Sequence, residues 1–376
     1  MKVSTNPVLL AVVIMGCTTS TKTDNMQATN VDSTGTGPVL QAIELSNQRG
    51  IRVGITNFGA RIVSLWTPNK FGKQDNIILG YDSLEQYLSG NPYFGAAIGR
   101  FGNRIAGGVF ELDGKTYQLT KNNGENALHG GPGGFHNVYW DMRKKEDGNA
   151  VEFNYRSKDG EEGYPGNLEV KMTYTLTDQN ELVIDYQATT DQPTVINLTH
   201  HSFFNLAGEG SGDVLGHELM INADRFTPVN DQLIPTGEMK PVRGTPFDFT
   251  KPRLIGERIE SKDQQLIFGR GYDHNWVLNR PDNGLSLAAK VREPHTGRTL
   301  EVWTTEPGLQ FYSGNFLDGS DKGFGGKAYE FRSAFCLEAQ HFPDSPHHTH
   351  FPSTVLRPGE VYRQQTIYKF GVEKAN

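Results

Sequence analysis

Alternating apolar and polar residues dominate the middle of the chain. In residues 168–176, LEVKMTYTL, every second residue is apolar, and after the turn DQN the same period continues through residues 182–188. A period of two places the apolar side chains on one face of a β-strand. The two runs therefore predict an antiparallel hairpin.

Further strands are predicted on both sides of this hairpin. In FELDGKTYQL, residues 110–119, Asp113 and Gly114 suit the positive φ angles of a tight hairpin turn. Other alternating runs are VEFNYRS, LSLAAKVRE, TLEVWTTE and GLQFYSG, whereas helical candidates are few and short, DSLEQYL and RLIGERI. There is no βαβ rhythm, no fixed-period repeat and no linker after residue 38. We therefore expect an all-β fold, one large antiparallel β-sandwich over residues 38–376.

The N-terminus has the features of an export signal. In MKVSTNPVLLAVVIMGC, Lys2 precedes an apolar run that is too short to span a bilayer, and the segment ending at Cys17 resembles a bacterial lipobox. We expect residues 1–16 to be a lipoprotein signal peptide and Cys17 to carry the lipid, with an ordinary cleaved signal or a disordered N-terminus as alternatives. Residues 17–37 are polar and predict a flexible tether. The expected location is that of an exported bacterial lipoprotein, periplasmic or anchored to the outer membrane.

Charge and cysteine content narrow the possible partners. The net charge is −7 with acidic residues spread along the chain, which argues against nucleic-acid binding and favours a neutral partner such as a sugar. The lipid at Cys17 would be the sole membrane contact, and no pattern indicates an oligomeric state. The two cysteines, Cys17 and Cys336, suggest no disulfide framework. We expect Cys336, in SAFCLEA, to be a small buried core residue.

Five short stretches carry polar side chains among apolar ones. Such groups are costly to bury unless they are paired or functional. Taken singly, each stretch is explained by ordinary buried hydrogen bonding. The stretches are GRFGNRI with Asn103 and Arg104, ALHGGPGGF with His129, THHSFFN with His200 and His201, YDHNWVL with Asp273 and His274, and CLEAQHFPD with Glu338 and His341. The glycines around the first stretch match neither a dinucleotide fingerprint nor a P-loop.

Taken together, the motifs resemble those of the aldose 1-epimerase family, from about residue 41 to 372. LEAQHFPDSP followed by FPSTVLRPGEVY is the most specific part of this resemblance. The resemblance implies an antiparallel sandwich fold and an activity, the interconversion of the α and β anomers of free aldohexoses. This reaction needs one base and one acid and no metal or nucleotide cofactor.

The resemblance also implies roles for individual residues. Glu338 would be the base and His201 the acid, while His129 would donate near the ring oxygen or share the task of the acid. A carboxylate beside an imidazolium is expected to favour the ionised form of both groups. The predicted substrate-binding residues are Asn103, Arg104, Asp273 and Gln310.

Other candidates receive structural interpretations. Because neighbouring side chains of a strand point to opposite faces, only one of His200 and His201 can face a pocket. Family members usually carry Asn at position 200, and an exchange of roles between the two histidines stays open. Arg100 is expected to be structural, and core roles are favoured for Trp276 and Phe203 over stacking on a sugar. A metal site is not expected at the tract HHTH, residues 347–350. The tract lies in a proline-flanked loop, with no strand or helix to fix the geometry of metal ligands.

Two further functions remain as alternatives. A glycoside hydrolase could use Glu338 and Asp273 as its pair of carboxylates, but the histidines would then have no role. A sugar-binding lipoprotein without catalysis could use the same pocket. Epimerisation of a hexose phosphate would call for more cationic residues than Arg104 alone.

Overall fold

The computed structural model describes residues 39–89, 93–146, 149–282 and 284–373. The predicted signal peptide, residues 1–16, and the predicted tether, residues 17–37 with Cys17, lie outside the described residues. Antiparallel β-strands are the predominant regular structure of the described chain. In chain order the strands are β1 (Ala42–Ser46), β2 (Arg52–Thr56), β3 (Ile62–Pro68), β4 (Gln74–Asn76), β5 (Ala96–Ile98), β6 (Arg104–Ile105), β7 (Val109–Leu112), β8 (Lys115–Gln118), β9 (Ala127–Leu128), β10 (Asp141–Lys144), β11 (Ala150–Ser157), β12 (Leu168–Leu176), β13 (Glu181–Thr190), β14 (Thr194–Val195), β15 (Thr199–His201), β16 (Glu218–Ile221), β17 (Ala223–Thr227), β18 (Lys240–Pro241), β19 (Arg253–Leu254), β20 (Asp273–Leu278), β21 (Ser286–Arg292), β22 (Arg298–Thr304), β23 (Gly308–Tyr312), β24 (Cys336–Gln340), β25 (Val355–Leu356) and β26 (Tyr362–Val372).

Helices are short throughout the described chain. The α-helix is α1, Gln264–Gly269, whose first turn is capped by Asp263 accepting the backbone N–H of Gln265. The 3₁₀ helices are Leu84–Ser89, Ala106–Gly108, Phe135–Asn137, Glu161–Gly163, Ile255–Glu257, Phe324–Gly326 and Ser345–His347. The predicted helical stretches DSLEQYL and RLIGERI thus form only 3₁₀ turns and the two-residue strand β19. Among the described residues, no helix has the length and apolar character needed to cross a membrane.

A nine-stranded sheet forms one layer, in the order β10-β11-β12-β13-β26-β22-β21-β16-β19. The predicted hairpin is confirmed as β12 and β13, with Met172 opposite Tyr186. The Asp113-Gly114 turn is also confirmed between β7 and β8, and its two residues have φ angles of 51° and 74°. Period-two alternation therefore predicted both local pairings correctly.

The second layer comprises the four-stranded sheet β1-β2-β3-β4 and the five-stranded sheet β18-β17-β20-β23-β24. A continuous core joins the layers, with Tyr174 and Tyr368 from the nine-stranded sheet, Val53 from the four-stranded sheet, and Phe311 and Leu337 from the five-stranded sheet. Two packed antiparallel layers around a shared core make a β-sandwich. The predicted fold class is confirmed.

The five-stranded sheet has two faces of different chemistry. On β24, Leu337 and Ala339 belong to the core, so Cys336, Glu338 and Gln340 point to the opposite face. That opposite face carries the polar side chains of the strand and forms the floor of a pocket.

Candidate active site

A pocket of about 140 Å³ lies against this polar face. Six of the seven predicted site residues line it, and Gln310 lies beside it in contact with Asp273. A larger groove of about 790 Å³ around Glu218 and Arg292 contains none of them. Because buried polar side chains are better evidence of chemistry than cavity size, we assign the smaller pocket as the site. Its lining residues are Tyr93, Asn103, Arg104, Leu128, His129, His201, Phe203, Asp273, Tyr312, Phe316, Leu317 and Glu338.

His201 occupies the centre of the pocket. It lies on β15, which pairs with β5. Its ring is stacked between Phe203, at 4.9 Å between ring centroids, and Tyr93, at 5.7 Å. Its Nε2 lies 3.6 Å from Oε1 of Glu338, and its Nδ1 lies 3.5 Å from Sγ of Cys336. Strand β24 therefore contacts both nitrogens of this imidazole.

His200 points to the other side of β15, into the core. Its ring packs edge-on against Tyr174 and Tyr368, and its Nδ1 lies 3.2 Å from Oγ of Ser202. As the alternation of a strand requires, one histidine of the pair faces the pocket and the other faces the core.

His129 has a tautomer set by the backbone. The N–H of Asn103 donates to its Nδ1 at 3.1 Å, so the proton of the neutral ring is on Nε2, which can only donate. The φ angles of Tyr93, Asn103 and His129 are 70°, 62° and 51°, a left-handed conformation that is uncommon for non-glycine residues. The next residue must be glycine, because a Cβ on Gly130 would lie 2.0 Å from a backbone oxygen.

This tautomer bears on the possibility of a metal site. Candidate ligand atoms of His129, His201 and Glu338 lie within 4.8 Å of one another. His129 nevertheless has no free lone pair for a metal, because its Nδ1 already accepts a hydrogen bond and its Nε2 is protonated. The residues therefore fit hydrogen bonding to a polar ligand better than metal coordination.

The HHTH tract lies away from this pocket. His347 and His348 are turned toward the carboxylate of Asp344, at 2.6 Å and 3.4 Å. Asp344 also accepts the backbone N–H of Ala106 at 2.9 Å. The carboxylate thus ties the loop to the start of a neighbouring 3₁₀ helix.

Asp273 and its partners form the far side of the pocket. The side-chain amide of Gln310 donates to Oδ1 of Asp273 at 2.7 Å, and the guanidinium of Arg104 lies 3.9 Å from Oδ2. Arg104 also donates to Oδ1 of Asn123 at 3.0 Å, and its backbone N–H donates to Oδ1 of Asn103 at 2.9 Å. The Asp273 carboxylate is therefore held in one orientation, with Arg104 beside it.

Burial dominates the electrostatics of the site. It raises the pKa of Glu338 well above its usual value, with the nearby charge of Asp273 adding to the rise and Arg104 opposing it. Burial also raises the pKa of Asp273 and lowers the pKa of His201 to about 3. The expectation that Glu338 and His201 favour the ionised form of each other is therefore not met, because burial shifts both pKa values toward the uncharged forms.

Several residues near the pocket were missed or interpreted differently from sequence. Cys336 is buried as expected, but its thiol contacts His201 rather than only apolar neighbours. The signal was its position two residues before Glu338 on a strand, which places both on one face. Tyr93 had no signal, since it lies outside any strand. Phe203 is buried and also lines the pocket.

Arg100 and Trp276 have the structural positions expected of them. The Arg100 guanidinium donates to Ser157 and to the carbonyl of Pro165, away from the pocket. The indole N–H of Trp276 donates to the carbonyl of Phe247 at 3.1 Å, within the core. Both side chains stabilise the scaffold.

The fold and the pocket together define an antiparallel β-sandwich protein with a pocket lined by buried imidazole and carboxyl side chains. The family model of aldose 1-epimerase matches residues 41–369. The chain belongs to this family, whose members are isomerases. The resemblance inferred from the motifs is thus confirmed.

Named relatives match across most of their length. The chain is 48% identical to the galactose mutarotase of Sus scrofa and 47% identical to that of Homo sapiens, each over 322 residues that cover 86% of this chain and 92% of the relative. It is 40% identical to the aldose 1-epimerase of Escherichia coli K12 over 339 residues, or 90% of this chain and 97% of the relative.

Solved structures share the same fold. An aldose epimerase homologue from C. elegans has a TM-score of 0.81 at 32% identity, covering 88% of this chain and 98% of its own. A galactose 1-epimerase from Lactobacillus acidophilus has a TM-score of 0.81 at 29% identity, covering 92% and 98%.

Proposed function

We propose that this protein interconverts the α and β anomers of free aldohexoses such as galactose and glucose. Family membership and relatives that are 40–48% identical support the activity. The observation that carries the proposal is the placement of Nε2 of His201 3.6 Å from Oε1 of Glu338 in a pocket that is also lined by His129, Arg104 and Asp273. Anomer exchange requires a base within reach of the anomeric hydroxyl and an acid within reach of the ring oxygen of the same sugar.

In the proposed mechanism, Glu338 removes the proton of the anomeric hydroxyl while His201 protonates the ring oxygen. The bond between the anomeric carbon and the ring oxygen breaks, and the open-chain aldehyde forms. After rotation about the bond to the next carbon, the hydroxyl attacks the other face of the aldehyde. The two proton transfers then reverse, which returns both residues to their starting forms.

The electrostatics of the site are compatible with this mechanism. Burial raises the pKa of Glu338 well above its usual value and lowers that of His201 to about 3, which favours the form with a proton on the carboxyl group and a neutral imidazole beside it. Moving that proton to His201 produces the carboxylate and imidazolium that the mechanism uses. This transfer between the two residues needs no proton from solvent.

The other pocket residues hold the sugar. His129 donates from Nε2, and its fixed tautomer favours a role as a neutral donor to the ring oxygen over a role as a second acid. Asp273, Arg104 and Asn103 bind hydroxyl groups, and Gln310 orients Asp273 through its 2.7 Å hydrogen bond. Orientation matters because acid–base transfer alone supplies only about 10²–10⁴-fold acceleration.

The alternatives have less support. For a glycoside hydrolase, Glu338 would work with Asp273, yet the side chain of His201 lies against Glu338, while Asp273 is engaged by Gln310. Family membership also favours the epimerase. A binding protein without catalysis would use the same pocket and is separated from an enzyme only by measurement.

The direct test is polarimetry of freshly dissolved α-D-galactose and α-D-glucose. We expect the protein to accelerate the relaxation of optical rotation in proportion to its concentration. A rate equal to that of buffer alone would contradict the proposal and favour a binding protein. Release of reducing sugar from an oligosaccharide would favour the hydrolase.

We also propose that the mature protein is a lipoprotein. The lipobox-like segment ending at Cys17 and the polar residues 18–37 support removal of residues 1–16, lipidation of Cys17 and a flexible tether. The catalytic domain would then act outside the cytoplasm, in the periplasm or at the outer membrane. Mass spectrometry of the purified protein should find acyl chains on Cys17 and none on a Cys17→Ser variant. An uncleaved and unmodified N-terminus would contradict this.

A further inference from the structure

Cys336 contacts the proposed acid but has no place in the mechanism described above. Its side chain is fully buried, and its Sγ lies 3.5 Å from Nδ1 of His201. Glu338, two residues further along β24, lies 3.6 Å from Nε2 of the same ring. One strand thus contacts the imidazole from both nitrogen edges.

The contact answers a question that ring stacking leaves open. Phe203 and Tyr93 fix the plane of the His201 ring, with interplanar angles of 18° and 23°. Stacking alone does not decide which ring edge faces Glu338, because a 180° rotation about the Cβ–Cγ bond keeps the ring plane and exchanges nitrogen and carbon positions. A hydrogen-bond partner at Nδ1 removes that ambiguity and also selects the tautomer.

We propose that Cys336 is a positioning residue for His201: its sulfur accepts the Nδ1–H, which leaves Nε2 as the nitrogen that exchanges a proton with the sugar. A hydrogen bond to the sulfur across the 3.5 Å contact requires the proton on Nδ1.

The chemistry of sulfur suits this position. A carboxylate at Nδ1, as in serine protease triads, stabilises the imidazolium. An uncharged thiol is a weak acceptor that orients the ring without holding the positive charge. His201 therefore stays a strong acid toward the ring oxygen of the sugar.

The test compares Cys336→Ala and Cys336→Ser with the wild-type protein. Because Cys336 orients the acid and does not touch the sugar, Cys336→Ala is expected to lower kcat about fivefold and to leave KM within about twofold. The hydroxyl of Cys336→Ser can accept the same hydrogen bond and should restore most of kcat. Leu337→Val, a truncation on the core face of β24, is the control and should keep kcat.

A second readout does not depend on catalysis. This inference rests on the proposed role of His201, but ¹⁵N NMR of the His201 ring can be recorded on the sugar-free protein. We expect the Nδ1–H tautomer in the wild-type protein and a mixture of tautomers in Cys336→Ala. An Nε2–H tautomer in the wild type would overturn the proposal, as would an unchanged tautomer and kcat in Cys336→Ala. A rise in KM at constant kcat would overturn it too, since it would indicate contact with the sugar. Absence of activity in all proteins would refute the proposed function and leave the tautomer result to decide the role of Cys336.

Discussion

His200 and His201 are neighbours in sequence with the same burial and different surroundings. Both are at least 95% buried, and burial lowers the pKa of each to about 3. His200 packs between aromatic rings of the core, whereas His201 contacts Glu338 and Cys336. A perturbed pKa therefore does not distinguish the two residues. They are distinguished by their contacts, since only His201 lies beside Glu338 and Cys336 of β24.

The same division occurs on β20. Asp273 faces the pocket, and His274 packs in the core against Phe226 and Phe247. Alternation along a strand thus separates a functional residue from a structural one at two places in the fold. Substitutions on either side of this division should affect different properties.

The largest effect is expected for Glu338→Gln. The amide keeps the shape of the side chain and cannot accept the anomeric proton, so kcat should fall by about 10³-fold. Polarimetry with α-D-galactose measures the loss. Glu152→Gln is the control and should leave kcat unchanged. Glu152 lies on β11 of the nine-stranded sheet, where it pairs with Lys171. Activity of Glu338→Gln within about tenfold of wild type would exclude Glu338 as the base.

Acid should destabilise the protein through the lowered pKa that burial gives to His200, His201 and other histidines. Six buried histidines have a lowered pKa: His129, His136, His200, His201, His217 and His274. The unfolded chain binds more protons at these groups below about pH 6.5, so their contribution to stability is complete above that pH and falls as the pH drops. The raised pKa values of His341, Glu338 and Asp273 oppose this in part.

Urea unfolding at pH 7 and pH 5 measures this effect. We expect the free energy of unfolding to be several kcal/mol lower at pH 5 than at pH 7. A change of this size corresponds to on the order of two more protons bound by the unfolded chain than by the folded chain over two pH units. A free energy of unfolding that is constant or higher at pH 5 would contradict burial of these histidines in the neutral form.

Asp273→Asn should weaken substrate binding. Loss of a charged acceptor for sugar hydroxyls is expected to raise KM by roughly ten- to a hundredfold, with a smaller change in kcat. Steady-state kinetics by polarimetry separates the two constants. His274→Gln, on the core face of the same strand, should change stability and leave KM near the wild-type value. An unchanged KM for Asp273→Asn together with a raised KM for His274→Gln would place Asp273 outside the sugar-binding site.

The smallest effect is expected for the stability of His200→Asn. The substitution leaves a small cavity against Tyr174 and alters the contact with Ser202, so the free energy of unfolding should drop by about 1–3 kcal/mol. Urea unfolding at pH 7 measures it. Stability equal to wild type would contradict the assignment of His200 as a packing residue.

The strand pattern was readable from sequence because alternation is a local property. It correctly predicted the β12–β13 hairpin and the turn at Asp113-Gly114. The six-residue helix α1 was missed, since fewer than two turns carry no usable period. The helical candidates DSLEQYL and RLIGERI overlap the 3₁₀ helices Leu84–Ser89 and Ile255–Glu257, because runs this short do not distinguish an α-helix from a 3₁₀ helix.

The site was readable only in part. Motifs indicated six residues that the structure brings into one pocket. Alternation excluded one of His200 and His201 without saying which, because that depends on the pairing of β15 with β5 and on the position of β24. The contacts of Tyr93 and of the Cys336 thiol with His201 depend on long-range packing, which sequence motifs do not show. The expectation of an ion pair between Glu338 and His201 was not met, because sequence motifs do not show how deeply a side chain is buried.

The central claim is that the pocket-facing histidine is the acid and its neighbour is structural. The most direct test measures kcat of His201→Asn and His200→Asn with α-D-galactose in one polarimetric assay, on protein shown to be folded. We predict a loss of at least about 10²-fold for His201→Asn and a value within about twofold of wild type for His200→Asn. Equal losses in both variants, or the larger loss in His200→Asn, would contradict the account.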